Sequence, residues 1–121
     1  MIDPLAPQPA PKPGGLAVWP LVLADVRRRD VPLEQRGVLE QLLADMARRD
    51  DDGARKYGTH LQTRNGRNAL VDAYQEALDA CVYLRQEMAE RERDAEVVAL
   101  YMLQVGLAYR LRRVLSARGI P

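Results

Sequence analysis

Residues 97–109 carry one strongly polar side chain, Gln104, and one glycine, Gly106. Read as a helix, this stretch is apolar nearly all round, and a helix without a polar face has to be buried. A chain of 121 residues builds one core and has little else with which to cover such a helix. The expectation is a subunit interface, in a homo-oligomer that is a dimer or a tetramer. Asp94 is placed to cap this helix and Gly119 to stop it, so it is expected to run to Arg118.

The rest of the chain reads as helix and loop. Residues 1–15 carry proline at every second or third position, which forbids helix and central strand. They predict an extended tail, flexible alone or laid across a neighbouring subunit, ahead of one all-α domain over residues 16–121. A short helix is expected to begin near Trp19, with Pro20 in its first turn, and Asp30-Val31-Pro32 breaks the chain. Residues 33–57 form a longer helix with Val38, Leu39, Leu42, Leu43 and Met46 as its apolar stripe, closed by Gly58. A loop over residues 59–66 ends in the turn signal Asn65-Gly66. The next helix has a core seam of Leu70, Tyr74, Ala77, Leu78, Cys81, Leu84 and Met88.

Composition narrows the chemistry. The net charge of +1 gives no bulk field for nucleic acid or an anionic membrane. The six aromatic residues, one Trp and five Tyr, form no stacking motif, and Arg27-Arg28-Arg29 reads as a solvated helix end. One cysteine, Cys81, and one histidine, His60, leave no disulfide framework and no usual zinc ligand set. The longest apolar run, residues 97–103, is far short of a membrane span, and the N-terminus lacks a signal-peptide layout. A cytoplasmic protein is expected, without nucleic-acid or membrane partners.

The helix after the loop carries the most informative polar pattern. Steps of four and three residues place Asp72, Glu76 and Asp79 within an arc of roughly 60° on one face. No base stands three or four residues away, and like charges at these spacings cost on the order of 0.2–0.5 kcal/mol per pair. Val71, Ala73, Ala80 and Val82 border the acids with small apolar side chains. Two readings stand side by side: a solvated acidic face, or a lined cleft for a divalent cation, for which oxygen-only ligands suit Mg²⁺ or Mn²⁺.

The preceding helix shows Asp45, Arg49, Asp52 and Lys56 on one face, each acid four residues before a base. That order suits an exposed ion-pair ladder. It equally suits a site face on which an acid holds metal and Arg49 or Lys56 holds phosphate. Arg64, Arg67 and the N–H groups that open the following helix are further anion donors.

Three stretches together, Gly53-Ala54-Arg55-Lys56-Tyr57-Gly58-Thr59, then Asn65-Gly66-Arg67-Asn68-Ala69-Leu70-Val71-Asp72-Ala73-Tyr74-Gln75-Glu76-Ala77-Leu78-Asp79, then Tyr83-Leu84, resemble phage-encoded MazG/HisE-like all-α nucleoside triphosphate pyrophosphohydrolases. The likeness covers about the middle third of the chain. It implies a MazG-like helical bundle completed by oligomerisation, and hydrolysis of a (deoxy)nucleoside triphosphate to monophosphate and pyrophosphate in the host-cell cytoplasm. In that superfamily Glu-x-x-Glu on one helix and Glu-x-x-Asp on the next bind divalent metal. Glu76-Ala77-Leu78-Asp79 matches the second motif. No Glu-x-x-Glu stands before it, and Asp45 and Asp52 are the substitutes. The resemblance implies Mg²⁺ or Mn²⁺ on Glu76, Asp79 and Asp72, with Lys56 and Arg67 on the phosphates and Asn65 at the base edge. The competing expectation is a non-enzymatic helical interaction module that docks through its last helix, with the proline tail as a tether.

Overall fold

The computed structural model describes residues 2–121. Its elements are α1 (Trp19–Arg27), a 3₁₀ turn (Leu33–Gln35), α2 (Arg36–Tyr57), α3 (Ala69–Glu90) and α4 (Ala95–Ala117). Among the described residues there is no strand, only an isolated antiparallel bridge between Ala17 and Gln62. The all-α expectation holds. No helix among the described residues is long and apolar enough to cross a membrane. Contacts divide the chain into two compact units, Pro9–Arg67 and Met1–Gln8 with Asn68–Pro121.

In the unit Pro9–Arg67, α1 packs on α2. Gly58 closes α2 at φ +73°, donating its N–H to Ala54 O at 2.9 Å; a left-handed residue at a helix end is favoured as glycine. Leu39 is the buried residue of α2, while Val38 and Leu42 of the same expected stripe stay exposed. The chain entering α1 runs beside the loop that leaves α2. Lys12 N–H donates to Asn65 O at 3.0 Å, Thr63 N–H to Leu16 O at 2.8 Å and Val18 N–H to Leu61 O at 2.9 Å. Gly14 is required by close approach, because a Cβ there would lie 1.9 Å from Arg64 O.

In the other unit, α3 and α4 are joined through residues 91–94 and run antiparallel. Val71 near the start of α3 packs with Leu115 near the end of α4, and Gln104 Nε2 donates to Ala77 O at 3.2 Å midway. The single amide of the apolar stretch thus has a backbone partner on α3. Asn68 and Asp94 cap the two helices, Asn68 accepting from Leu70 N–H and Val71 N–H and Asp94 from Glu96 N–H. Each such cap contributes about 1 kcal/mol. Val71 and Leu115 are fully buried, and Ile120 folds back beside them after Gly119 at φ +76°. Leu70 and Tyr74 flank this core. Arg112 stands over the Tyr74 ring at 5.8 Å and donates to Ile120 O at 2.7 Å, which holds the C-terminal turn in place.

Two expectations need correction. Val71 is not a border of the acid face but the centre of the core, because α4 and Ile120 approach α3 on that side. Within the chain α4 buries only Ala108 and Leu115, and Met102, Leu103 and Tyr109 are each more than 60% exposed. Two helices in one unit cover only one side of it. The proline-rich tail lies along its own chain. Within it Ala6 N–H donates to Asp3 O at 3.3 Å, and Gln75 Nε2 donates to Pro4 O at 3.1 Å and Ala6 O at 2.8 Å.

Candidate functional site

Helix α3 presents Asp72, Glu76 and Asp79 from its first three turns. Glu76 and Asp79 are exposed and form no ion pair or hydrogen bond among the described residues. The expectation that no base relieves them is met at these two positions. Asp72 is half-buried, and relief comes from the tail. Gln8 Nε2 donates to Asp72 Oδ1 at 2.6 Å and to Asn68 O at 3.0 Å, while Gln8 Oε1 accepts from Asn68 N–H at 2.7 Å. One amide therefore holds both the cap residue and the first acid of α3. No signal local to α3 reveals Gln8, sixty residues before Asn68. The Asn68 cap was also missed, although Asn just ahead of the apolar run Ala-Leu-Val is a local signal that could have found it.

The candidates before α3 belong to the unit Pro9–Arg67. Asp45 is exposed on α2. The expected ladder does not form: Asp52 pairs with Arg48 at 3.9 Å and with Arg55, whereas Lys56 lies over the Tyr57 ring at 5.1 Å. Steps of three and four both bring side chains together on a helix, and the choice falls to the arginine forks on either side of Asp52. Arg49 makes no hydrogen bond or ion pair among the described residues. In the loop, Asn65 Oδ1 accepts from Arg67 N–H at 3.1 Å, bracing the turn, and Arg67 donates to Pro9 O at 2.6 Å.

Sequence reasoning missed a further pair. His60 Nδ1 and Asp50 Oδ1 lie 2.7 Å apart, and the Asp50 side chain is only 19% exposed. The hydrogen bond to Asp50 and that carboxylate's charge raise the His60 pKa above 6.5, with Asp51 adding and burial opposing. A raised folded-state pKa stabilises the fold fully below 6.5, and that contribution is lost as pH rises through the raised value. Thermal melts across that window should show wild type losing stability as pH rises. His60→Asn should abolish that slope.

Among the described residues no three His, Cys, Asp or Glu side chains group so as to hold a metal ion. Mg²⁺ is commonly bound through one or two carboxylates completed by substrate phosphates and water. Unpaired Glu76 and Asp79, one turn apart on a rigid helix, fit that hard, oxygen-only donor chemistry. No protein-family model, curated protein or solved structure matches the chain.

Proposed function

We propose that the protein is a metal-dependent nucleotide pyrophosphohydrolase, splitting a purine deoxynucleoside triphosphate, dGTP or dATP, into monophosphate and pyrophosphate. The observation that carries the reading is the exposed, unpaired pair Glu76 and Asp79 on α3, with Asp72 one turn earlier held by Gln8. The resemblance to the MazG/HisE-like enzymes, and within them to the phage enzyme MazZ, supports the reaction class.

Glu76 and Asp79 would hold Mg²⁺ or Mn²⁺, with Asp72 beside them. Bound there, the ion would neutralise charge developing on the phosphoryl group under attack. The chain's own part is positional: α3 sets the spacing of the two carboxylates, the Asn68 cap fixes its first turn, and Gln8 orients Asp72. A homo-oligomer that covers the apolar residues of α4 belongs to the same proposal. The exposure of Met102, Leu103 and Tyr109 supports it.

That exposure equally favours a second reading, a helical interaction module docking through α4. The tail's hydrogen bonds to its own chain weigh against the tether which that reading assigned to it.

The discriminating experiment is pyrophosphate release from a panel of NTPs and dNTPs with Mg²⁺, with Mn²⁺ and with EDTA. Metal-dependent release that favours purine deoxynucleotides and vanishes in EDTA is the expected result. Silence across the panel would reject the enzyme and leave the interaction module.

A further inference from the structure

A cavity of about 210 Å³ opens within the unit Pro9–Arg67, lined by Trp19, Arg49, Asp50, Tyr57, Thr59 and Leu61 among others. Three features distinguish it from an ordinary surface dent. Its lining includes two aromatic residues, Trp19 and Tyr57, and Tyr57 remains 44% exposed instead of packing into a core. The Asp50 carboxylate, mostly shielded, has His60 as its partner on Oδ1 and no Lys or Arg ion pair. The Arg49 guanidinium beside it has no partner among the described residues. An acceptor-only group and a donor-only group thus stand in one aromatic-lined pocket with hydrogen-bonding capacity unused.

We propose that this pocket receives the base of a free nucleotide, with Asp50 accepting from its ring N–H and amino group, Arg49 donating to its ring acceptors, and Trp19 and Tyr57 supplying apolar contact. The inference rests on the function proposed above only in taking the ligand to be a nucleotide. The volume lies below the roughly 300–1,000 Å³ of pockets that enclose a drug-sized ligand. It suits one ring system and leaves the sugar and phosphates outside.

The two charged groups also select among bases. Guanine carries N1–H and an exocyclic amino group side by side, two donors for one carboxylate, and it presents O6 and N7 to a guanidinium fork. Adenine places the N1 lone pair where guanine has a proton, which an ionised Asp50 repels. The pocket should therefore prefer guanine over adenine. Guanine could also arrive within a single strand, but a net charge of +1 provides little to hold a phosphate backbone.

Trp19 is the sole tryptophan, so its fluorescence in the full chain reports on this pocket. Deoxyguanosine, deoxyadenosine and a short guanine-containing single-stranded oligonucleotide would each be titrated. The expected result is saturable quenching by deoxyguanosine, at least tenfold weaker binding of deoxyadenosine, and no advantage for the oligonucleotide. Asp50→Asn should weaken deoxyguanosine binding roughly tenfold or more. Because that change also disturbs the His60 contact, Arg49→Met, which removes an exposed and unpaired group, serves as the second variant and should also weaken binding. No quenching by deoxyguanosine, equal affinity for the two nucleosides, binding only of the oligonucleotide, or unchanged affinity in both variants would overturn the pocket. The pyrophosphate assay separates the two proposals. Hydrolysis without nucleoside quenching rejects the pocket and keeps the enzyme, whereas quenching without hydrolysis supports the pocket and rejects the enzyme.

Discussion

Glu76→Gln and Asp79→Asn should each lower metal-dependent pyrophosphate release by on the order of 10²–10³-fold, because an anchored cation supplies several kcal/mol of charge stabilisation and each 1.4 kcal/mol is tenfold in rate. Both substitutions keep the side chain's size and remove only its charge. Both residues are exposed and without partners, so the fold has nothing to lose. Relieving the repulsion along α3 should raise stability by a few tenths of a kcal/mol, about 0.2–0.5 per pair. The signature is therefore activity lost at equal or slightly higher thermal midpoint. Full metal-dependent turnover in both variants would make the acid face a solvated surface and end the catalytic reading. A loss accompanied by unfolding would point instead to an unrecognised structural role.

Leu115→Ala is expected to be the most destabilising truncation, at about 2–5 kcal/mol. Leu115 is fully buried between Val71 and Ile120, where the end of α4, the start of α3 and the C-terminal turn meet. Its removal leaves a cavity that no neighbouring large side chain can fill without giving up its own contacts. Domains of this size are stable by about 5–15 kcal/mol in total, so one such change removes a substantial share. Urea unfolding should show a lowered midpoint at an unchanged slope. Leu103→Ala is the control: at 71% exposure it makes few contacts within its own chain. If Leu103→Ala costs as much as Leu115→Ala, and the cost depends on protein concentration, α4 is covered by a partner in solution.

The helices were largely legible because their signals are local. Gly58, Asp94 and Gly119 end or begin helices for reasons carried by each residue's own backbone and side chain, and the structure uses all three at those ends. The acid spacing on α3 follows from helical pitch alone. The rotation of α3 was less legible: its seam through Leu70, Tyr74 and Ala77 is right in outline, but the most buried residue is Val71, one position round the helix. Periodicity locates an apolar arc and not the point on it where a neighbouring helix presses hardest. The α2 ladder failed for a similar reason, since three- and four-residue spacings compete and Asp52 met Arg48 and Arg55.

The candidate site was legible only where it lies on one helix. Gln8 reaches Asn68 and Asp72 across some sixty residues, His60 reaches Asp50 after the chain turns at Gly58, and Trp19 joins Tyr57 and Arg49 around one cavity. None of these contacts has a spacing that could announce it.

By itself, then, the amino-acid order determined that this chain is helical, where its helices stop, and that Asp72, Glu76 and Asp79 share a face. Each of these depends on residues within a few positions of one another. Only the tertiary structure decided which acids are held and which left unpaired, where the core is centred, and that an unpaired arginine and a shielded carboxylate line one aromatic pocket. Those depend on pairings between distant residues, and a hydrogen bond or an apolar contact carries no record of itself in the local pattern at either end.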